Sequence, residues 1–361
     1  MTLTFFSKGP GYGIIWSIIL ILLGSLVLTA CGTSSNSQTA VASPILMTIP
    51  PDATATATPF QPDLGQESGT VGNPQSTAQP TFATWGDFPA PQVFPVYTQV
   101  PPPVNHLPQP SGQVNILLLG SDQRPNDSGF RTDTIILITL NPDGRASLTS
   151  FPRDLYVYIP GWMMQRINSA MGFGGFNALR LTFEYNFGIT PDYYVLINFD
   201  GFRRIINNLG GITVNVGQTF SDARSGYPNG YAVYPGPVAM DSETALWYVR
   251  SRYSSNDIDR LRRAQEVLQA IGQKLFSLDG LNHVPDLFNT YKSTVETNLT
   301  LDATLRLLPA ANLIHDPSSI RRYVIGYDQA YDWVEPSTGA MVLLPVYPEI
   351  QKILQQAQTL Q

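Results

Sequence analysis

The chain lacks the residues that form covalent or metal cross-links in small proteins. A single cysteine, Cys31, occurs among 361 residues. This excludes an internal disulfide and any zinc cluster built from cysteines. Three histidines stand far apart and make no spacing typical of a helical metal site. The fold must therefore be stabilised by an apolar core, and the length suffices for one large domain or two ordinary ones.

Charge is also scarce, and its positive part is unevenly composed. Charged residues make up 13% of the chain, the net charge is −6, and four lysines stand against seventeen arginines. A negative chain of this kind is not typical of nucleic-acid-binding proteins, so we expect no nucleic-acid partner. The excess of arginine favours two-pronged recognition of anions such as phosphate.

No Lys or Arg occurs between Lys8 and Arg124, which favours export of the intervening segment. An apolar run, Ile14–Ala30, is just long enough to span a bilayer with help from its flanks. It ends in the sequence LTACG, which resembles a bacterial lipobox in which Cys31 would be lipidated after cleavage before it. The alternative is an uncleaved transmembrane anchor. Both readings predict that residues 1–31 attach the chain to the extracytoplasmic face of a bacterial cell membrane.

Residues 32–112 are rich in Thr, Ala, Pro, Ser, Gln and Gly and have no hydrophobic periodicity. This composition predicts a disordered linker. A flexible chain of that length has a root-mean-square span on the order of 50 Å. Its last part, residues 85–104, contains Trp85, Phe88, Phe94 and Tyr97 and is apolar enough to dock on a following domain.

Three short apolar runs follow the linker and predict strands over 114–119, 134–140 and 146–151. The Asn-Pro-Asp-Gly sequence at 141–144 favours a tight turn between the second and third strands. If the three strands form an antiparallel meander, the end of the first, the start of the second and the end of the third meet at one edge of the sheet.

Polar residues occupy that edge. Asp122 and Arg124 follow the first strand, Arg131 and Asp133 precede the second, and Arg153 and Asp154 follow the third. Carboxylate oxygens suit Mg²⁺, and forked guanidinium groups suit phosphate oxygens. The meander therefore predicts a phosphate site, although each of these residues alone would be read as a surface charge at a strand end.

Further elements are predicted along the rest of the chain. Helices are expected over 177–186, 199–209, 241–248, 257–276 and 347–356, and strands over 193–198, 212–216, 322–325 and 341–344, while residues 217–240 are expected to be loop. The helix 257–276 has the clearest apolar stripe. Arg260 lies at the edge of this stripe, where a cleft would open, and Arg262 is expected in solvent.

Seven segments together resemble the LytR-CpsA-Psr family of cell-wall phosphotransferases. They are NILLLGSDQR, RTDTIILITLNP, SFPRDLYVYIPG, RINSA, NNLGGITVNV, ALWYVRSRY and DIDRLRRAQEVL, in this order. The resemblance covers residues 114–273 and extends more weakly over 281–361. It implies a catalytic domain over 113–361 with a core at 114–280, folded as an α/β/α sandwich around a central mixed sheet with a long apolar pocket.

The resemblance also implies an activity and a set of site residues. A polyprenyl-pyrophosphate-linked glycan would be the donor, and peptidoglycan or another envelope glycan would accept the glycan with one phosphate. Asp122 and Asp133 match the family's magnesium ligands, with Mn²⁺ as the alternative ion. The pyrophosphate-binding arginines are matched by Arg131, Arg153, Arg250, Arg252 and Arg260. Catalysis would then centre on Arg131, Arg153 and Asp133.

One position departs from the family pattern. Ala264 stands where the family usually has Gln, four residues after Arg260. The neighbouring Gln265 lies about 140° around the helix from Arg260, which makes it a poor substitute. Gln265, Arg263, Arg124 and Asp154 remain weaker candidates for the site.

Two other functions stay open at the level of sequence. The same residues would serve a hydrolase that releases phosphate from polyprenyl pyrophosphate with water as the acceptor. A non-catalytic scaffold that binds lipid or glycan is the third reading, and Ala264 is its only support.

Overall fold

The computed structural model describes residues 85–123, 130–142, 145–251, 256–276, 295–300, 303, 307 and 320–359. The strands are β1 (Val114–Ser121), β2 (Thr132–Leu140), β3 (Ala146–Phe151), β4 (Tyr156–Ile159), β5 (Met163–Arg166), β6 (Tyr193–Asn198), β7 (Ile212–Val216), β8 (Phe220–Arg224), β9 (Tyr227–Val233), β10 (Gly236–Met240), β11 (Val295–Thr297), β12 (Ile320–Val324), β13 (Ala330–Glu335) and β14 (Ala340–Pro345). The helices are α1 (Ala170–Phe187), α2 (Phe199–Asn208), α3 (Ser242–Arg250), α4 (Asp257–Phe276) and α5 (Tyr347–Thr359).

A six-stranded sheet in the order β11-β6-β1-β2-β3-β12 forms the centre of the domain. β1, β2 and β3 pair antiparallel as the predicted meander. β6 joins β1 in parallel and β12 joins β3 in parallel, so the sheet is mixed. The parallel pairs need long connections, and the chain between the paired strands contains further strands as well as helices. The predicted mixed-sheet architecture is confirmed.

Helices cover both faces of this sheet because successive side chains of a strand point to opposite faces. Leu117 and Leu119 of β1 pack in one buried cluster with Phe183 of α1 and Leu354 of α5. Leu118, between them, faces a cavity under α2, α3 and α4. The domain is therefore the expected α/β/α sandwich, and its cavity lies in the second of the two interlayer spaces.

The predicted elements differ most from the observed ones in two places. Residues 217–240, expected to be loop, contain β8, β9 and β10. β8 pairs antiparallel with β9, and β10 pairs antiparallel with β7. The helix predicted over 177–186 belongs to α1, which begins at Ala170 and contains non-helical backbone at Gly174 and Gly175. Gly175 has φ of +62°, a conformation that favours glycine, and it interrupts the regular helix. The periodicity therefore predicts only the part of α1 that follows this interruption.

The segment from Trp85 to Gly112, counted in the linker by composition, packs on the domain. Val100 is buried with Tyr158 and Tyr185, and Phe88 stacks edge-on against Tyr185. The expected docking of residues 85–104 is thus observed, and the ordered domain begins before residue 113. No helix among the described residues has the length and apolar character needed to cross a membrane.

Candidate active site at one edge of the sheet

The meander brings Asp122 to the sheet edge and fixes it through the backbone. Ser121 pairs with Thr132 at the end of β1. Beyond this pair, the amide of Asp122 donates to the carbonyl of Arg131 at 3.2 Å, and the amide of Arg131 donates to Asp122 Oδ1 at 2.7 Å. The carboxylate of Asp122 is therefore held in one orientation at the mouth of the cavity that it lines.

Asp133 forms the centre of a charged network at the same edge. Arg153 Nη1 donates to Asp133 Oδ2 at 2.8 Å, and Asn168 Nδ2 donates to Asp133 Oδ1 at 3.2 Å. Arg153 also lies 3.4 Å from Asp154 and 3.9 Å from Asp257. Burial opposes the charge on Arg153, but the three carboxylates outweigh it and raise the pKa of the guanidinium. Arg153 therefore stays cationic beside the cavity.

Arg260 reaches this network from α4. Its side chain is 6% exposed, and Nε and Nη2 each donate to Asp257 at 3.0 Å in a two-pronged ion pair. Nη1 donates to the backbone carbonyl of Asp133 at 2.9 Å. Arg260 thus joins the start of α4 to the start of β2, across more than a hundred residues of sequence.

Arg250 completes the charged end of the cavity from the last turn of α3. Its guanidinium carbon lies 4.2 Å from the centre of the Phe199 ring, within the range of a cation–π contact. The structure therefore brings Asp122, Asp133, Arg153, Arg250 and Arg260 to the lining of one cavity. Convergence of two distant segments, the meander and the α3–α4 region, is observed.

The rest of this cavity is apolar. Its volume is about 480 Å³. The apolar lining comes from Leu118, Ile136, Ile197, Phe202, Ile205, Leu246, Val249, Val267, Leu268 and Ile271. Ala264 also faces it, at the position where the resemblance implied Gln. The side chains of the sequence-predicted stripe on α4 thus form a cavity wall as well as part of the core.

Other predicted site residues lie elsewhere or outside the described part of the chain. Arg131 is exposed, is not among the residues that line the cavity, and is held to Asp122 through its backbone. Asp154 contacts Arg153 and also lies 3.1 Å from Arg166 Nε, which agrees with a role in orienting Arg153. Three predicted positions, Cys31, Arg124 and Arg252, fall outside the described residues.

Arg263 is fully buried and points away from the cavity. Its guanidinium carbon lies 3.9 Å from the centre of the Phe220 ring. Nε donates to Asp259 at 3.0 Å, and Nη2 donates to the carbonyl of Ser251 at 2.6 Å. Burial lowers the pKa of Arg263, and Asp259 partly offsets this effect. Arg263 therefore fixes the backbone next to Arg250 and is not placed to touch a ligand in the cavity.

Arg262, its neighbour, was expected in solvent but is half-buried. It pairs with Asp259 at 2.6 Å and with Glu266. The reason is that the chain directly after β7 covers this side of α4, where the amide of Gly217 donates to Glu266 Oε1 at 3.2 Å. The apolar stripe alone does not indicate this cover.

Gln265 is buried against the sheet and bonds its backbone. Its Nε2 lies 2.8 Å from Ser150 Oγ, 2.8 Å from the carbonyl of Tyr323 and 3.3 Å from the carbonyl of Leu148. These acceptors lie on β3 and β12, which are adjacent strands. Gln265 therefore holds α4 on the sheet and does not replace the Gln missing at 264, as the helical geometry predicted.

Two members of the network were missed in the sequence. Asp257 binds Arg260 with both carboxylate oxygens and approaches Arg153. Asn168 supports Asp133. The spacing of Asp257 three residues before Arg260 is a helical ion-pair signal that could have indicated the first of them. Asn168 follows the end of β5, and its proximity to Asp133 depends on non-local packing.

The two predicted metal ligands, Asp122 and Asp133, both line the cavity. Among the residues that the structure describes, no three His, Cys, Asp or Glu side chains are grouped to hold a metal ion. Mg²⁺ is usually bound by one or two carboxylates together with substrate phosphate oxygens and water, without an all-protein cage. Two carboxylates beside three guanidinium groups fit that mode, in which the phosphate supplies the remaining ligands.

The chain is similar in sequence to proteins named as teichoic acid transferases. Polyisoprenyl-teichoic acid–peptidoglycan teichoic acid transferase TagU of Oceanobacillus iheyensis is 35% identical over 214 residues, which are 57% of this chain and 65% of TagU. TagT of Bacillus subtilis, named as the same kind of transferase, is 32% identical over 221 residues, 59% of this chain and 68% of TagT. The chain thus spans less than two thirds of the length of the TagU relative.

Solved structures show the same fold. TagT bound to LIIa-WTA is 26% identical and superposes with a TM-score of 0.56, over 74% of this chain and 98% of that one. The LytR_cpsA_psr family model matches residues 96–357, a range that contains the whole lining of the cavity. On the fold, the sequence match and the convergence of the charged residues, this chain belongs to the LytR_cpsA_psr family.

Proposed function

We propose that this protein transfers a glycan, together with one phosphate, from a polyprenyl pyrophosphate lipid to a hydroxyl group of peptidoglycan or another cell-envelope glycan. The observation that carries the proposal is the two-part cavity, with apolar walls and a mouth lined by Arg153, Arg250 and Arg260. A lipid chain suits the walls and a pyrophosphate suits the mouth. The names of TagU and TagT describe the corresponding reaction with teichoic acid.

Phosphoryl transfer requires mainly positioning and neutralisation of charge. The acceptor oxygen would form a new bond to the phosphorus that carries the glycan, while the bond from this phosphorus to the lipid phosphate breaks. The hydroxyl proton is released, and the lipid leaves as its monophosphate. Arg153, Arg250 and Arg260 would bind the phosphate oxygens and stabilise the charge that builds up on the leaving group.

Asp133 and Asp257 would keep these arginines in place before the substrate binds. Asp133 holds Arg153 at 2.8 Å, and Asp257 holds Arg260 at 3.0 Å. Asp122 and Asp133 would hold Mg²⁺, or Mn²⁺ as the alternative, and a bound ion would add positive charge at the phosphate oxygens. Preorganised charges of this kind need no rearrangement during the reaction.

The proposal places the domain on the extracytoplasmic face of the bacterial cell membrane. The apolar run Ile14–Ala30 and the LTACG sequence that ends in Gly32 support attachment, either through lipidated Cys31 or through an uncleaved helix. The Pro- and Thr-rich residues that follow would let the domain reach lipid substrates in that membrane. Mass spectrometry of the mature N-terminus distinguishes the two kinds of anchor.

Purified protein, a lipid-linked glycan donor and a peptidoglycan acceptor test the activity. We expect glycan to become joined to the acceptor, metal chelation to lower the rate, and added Mg²⁺ or Mn²⁺ to restore it. Asp133→Asn and Arg153→Ala each remove a charged group at the mouth and should lower the turnover about 100-fold or more. Lys352→Gln changes a side chain that is 68% exposed on α5 and serves as the control.

The alternatives give different results in the same assay. Release of phosphate with no glycan joined to the acceptor would identify a hydrolase. Lipid binding with no turnover in the wild type would favour a scaffold. Full turnover in both Asp133→Asn and Arg153→Ala would contradict the assignment of these two residues to catalysis.

A further inference from the structure

A short irregular loop before β1, residues 92–97, carries a group of exposed apolar side chains. Val93, Phe94, Val96 and Tyr97 are between 52% and 81% exposed. Single apolar residues are normal on a protein surface, whereas a contiguous group usually marks a site of contact. The family model begins only at residue 96, so membership in the family does not account for this loop.

The loop is fixed to the domain at its base. The amides of Gln92 and Val93 both donate to the carbonyl of Trp162, at 2.8 Å and 3.1 Å. The ring of Phe94 packs on that of Trp85, with 6.1 Å between the ring centres. These contacts hold the backbone in place without a partner, so binding would order few additional groups.

The stretch of sequence around the loop is uncharged. No Asp, Glu, Lys or Arg occurs from residue 88 to residue 121, although the chain as a whole has a net charge of −6. The loop itself therefore adds no charge that anionic lipid head groups would repel. Phe and Tyr side chains suit the boundary between the head groups and the lipid chains, where Tyr keeps its hydroxyl in water.

The exposed area is too small for a stable contact between two copies of the chain. Four side chains exposed to this degree present roughly 400 Å², whereas each partner of a stable protein interface buries about 800 Å². A membrane to which the chain is already attached needs less area, because the second contact is then intramolecular. If residues 32–84 are the flexible linker that their composition predicts, they span roughly 40 Å and keep the loop close to the membrane.

We propose that residues 92–97 contact the head-group region of the membrane to which the chain is attached. The proposal rests on the membrane attachment put forward above and adds a second contact, made by the domain itself. The contact is shallow, because the amides and carbonyls of an irregular loop would have no partners in the hydrocarbon core. The side chains of Val96 and Tyr97 enter the interface, while the backbone stays among the head groups.

The position of the loop relates this contact to the charged edge of the sheet. Trp162, which holds the loop, comes directly before β5, and Asn168, which donates to Asp133, follows β5. Residues six positions apart are at most about 20 Å from each other. A membrane that touches the loop therefore lies near the edge at which a lipid pyrophosphate would bind.

A fluorescent label at residue 96 tests the contact. The full chain is reconstituted in vesicles of phosphatidylcholine and phosphatidylglycerol, and Val96→Cys carries a polarity-sensitive fluorophore. The label should emit at a shorter wavelength than in water, and lipids with a nitroxide on the head group should quench it about twofold or more. Tyr97→Asp in the same labelled chain should remove most of this quenching, because it places a charge in the interface.

Tyr234→Cys is the matched labelling control. Tyr234 is 66% exposed and follows Val233 of β9, which packs with α3 and α4 on the other side of the central sheet. Its label should show no shift and little quenching, and Tyr234→Asp should not change the quenching of the label at residue 96. Wild-type chain treated with the same reagent gives the contribution of Cys31.

Three results would overturn the proposal. Equal emission and quenching at residues 96 and 234, in a chain that floats with the vesicles, would contradict the contact and leave the proposed attachment intact. A shift at residue 96 that disappears as the protein is diluted in the lipid would show that a second copy covers the loop. A chain that does not float with the vesicles would contradict the attachment and the contact together. Since no turnover is needed, absence of glycan transfer would count only against the proposed activity.

Discussion

At the scale of single residues, the arginines divide by what their guanidinium groups touch. Arg153 and Arg260 contact carboxylates and also line the cavity, so they can exchange part of their contacts for phosphate oxygens. Arg263, three residues from Arg260, bonds Asp259 and the carbonyl of Ser251 inside the protein. Substitution of these side chains should therefore affect different properties.

Arg263→Met is expected to destabilise the fold. The change leaves the Ser251 carbonyl without this donor and removes a buried charge from its pair with Asp259. Loss of one partner of a buried ion pair costs about 3–5 kcal/mol, and urea unfolding should show a loss of this order. Arg203→Met is the control, because Arg203 is 33% exposed and its partners Asp200 and Glu243 are 61% and 62% exposed, so its loss should cost about 1 kcal/mol or less. Equal unfolding midpoints for the wild type and Arg263→Met would contradict the assignment.

At the scale of secondary-structure elements, α4 serves a different purpose on each face. One face directs Arg260 and Ala264 to the cavity. A second face directs Gln265 to β3 and β12, where it donates hydrogen bonds, and a third face buries Arg263 against the ring of Phe220 in β8. If the residues of α4 were shifted by one position along the helix, each side chain would rotate by about 100° and all three contacts would be lost together. Asn256, whose side chain accepts from the amide of Asp259, helps to fix the start of α4.

Gln265→Leu tests the assignment of that residue to the fold. The substitution removes bonds to Ser150 and Tyr323 and leaves buried acceptors unpaired, which should cost about 1–3 kcal/mol in urea unfolding. Gln269→Leu, one turn later, removes a solvent-exposed hydrogen bond of 3.4 Å from Arg322. This substitution should change the free energy of unfolding by about 0.5 kcal/mol or less. Specific activity of the folded Gln265→Leu protein should equal that of the wild type. A tenfold fall in activity without loss of stability would place Gln265 in the site.

At the scale of the whole molecule, the segment before β1 is part of the domain. The hydroxyl of Tyr158 donates to the carbonyl of Pro89 at 2.6 Å, and the amide of Leu107 donates to the carbonyl of Gly188 at 2.8 Å. Gly188 has φ of +72°, and a Cβ there would lie 2.2 Å from the carbonyl oxygen of Asn105. The close approach of two backbones at the end of α1 therefore requires glycine.

A protein that begins at residue 113 should be less stable than one that begins at residue 85. Without this segment, the buried surface of Tyr158 and Tyr185 that packs on Val100 and Phe88 becomes exposed. Burial of one large apolar side chain contributes about 1.5–3 kcal/mol, so the shorter protein should lose about 3 kcal/mol or more in urea unfolding. Gly188→Ala should cost more in the longer protein than in the shorter one, because only the longer one contains Asn105. Equal stabilities of the two unsubstituted proteins would show that the segment only rests on the surface.

The meander and its charged edge follow from local patterns in the sequence. The strands at 114–121, 132–140 and 146–151 are neighbours along the chain, so alternation and turn residues suffice to pair them. Asp122, Asp133 and Arg153 then meet because of this local pairing. The arrival of Arg250 and Arg260 was implied by resemblance to a family, since no local pattern links residues that far apart.

The burial of helix faces other than the apolar stripe depends on packing between elements that are distant in sequence. A hydrophobic stripe reports one buried face of a helix, and α4 is buried on others because β7, β8 and the sheet pack around it. The stripe therefore does not indicate that Arg263 and Gln265 are held inside the fold, and composition does not indicate that residues 217–240 contain strands. A groove beside Arg250 likewise forms where α2, α3 and the β8–β9 turn come together. Periodicity encodes contacts within an element, whereas burial of its remaining surface depends on partners distant in sequence.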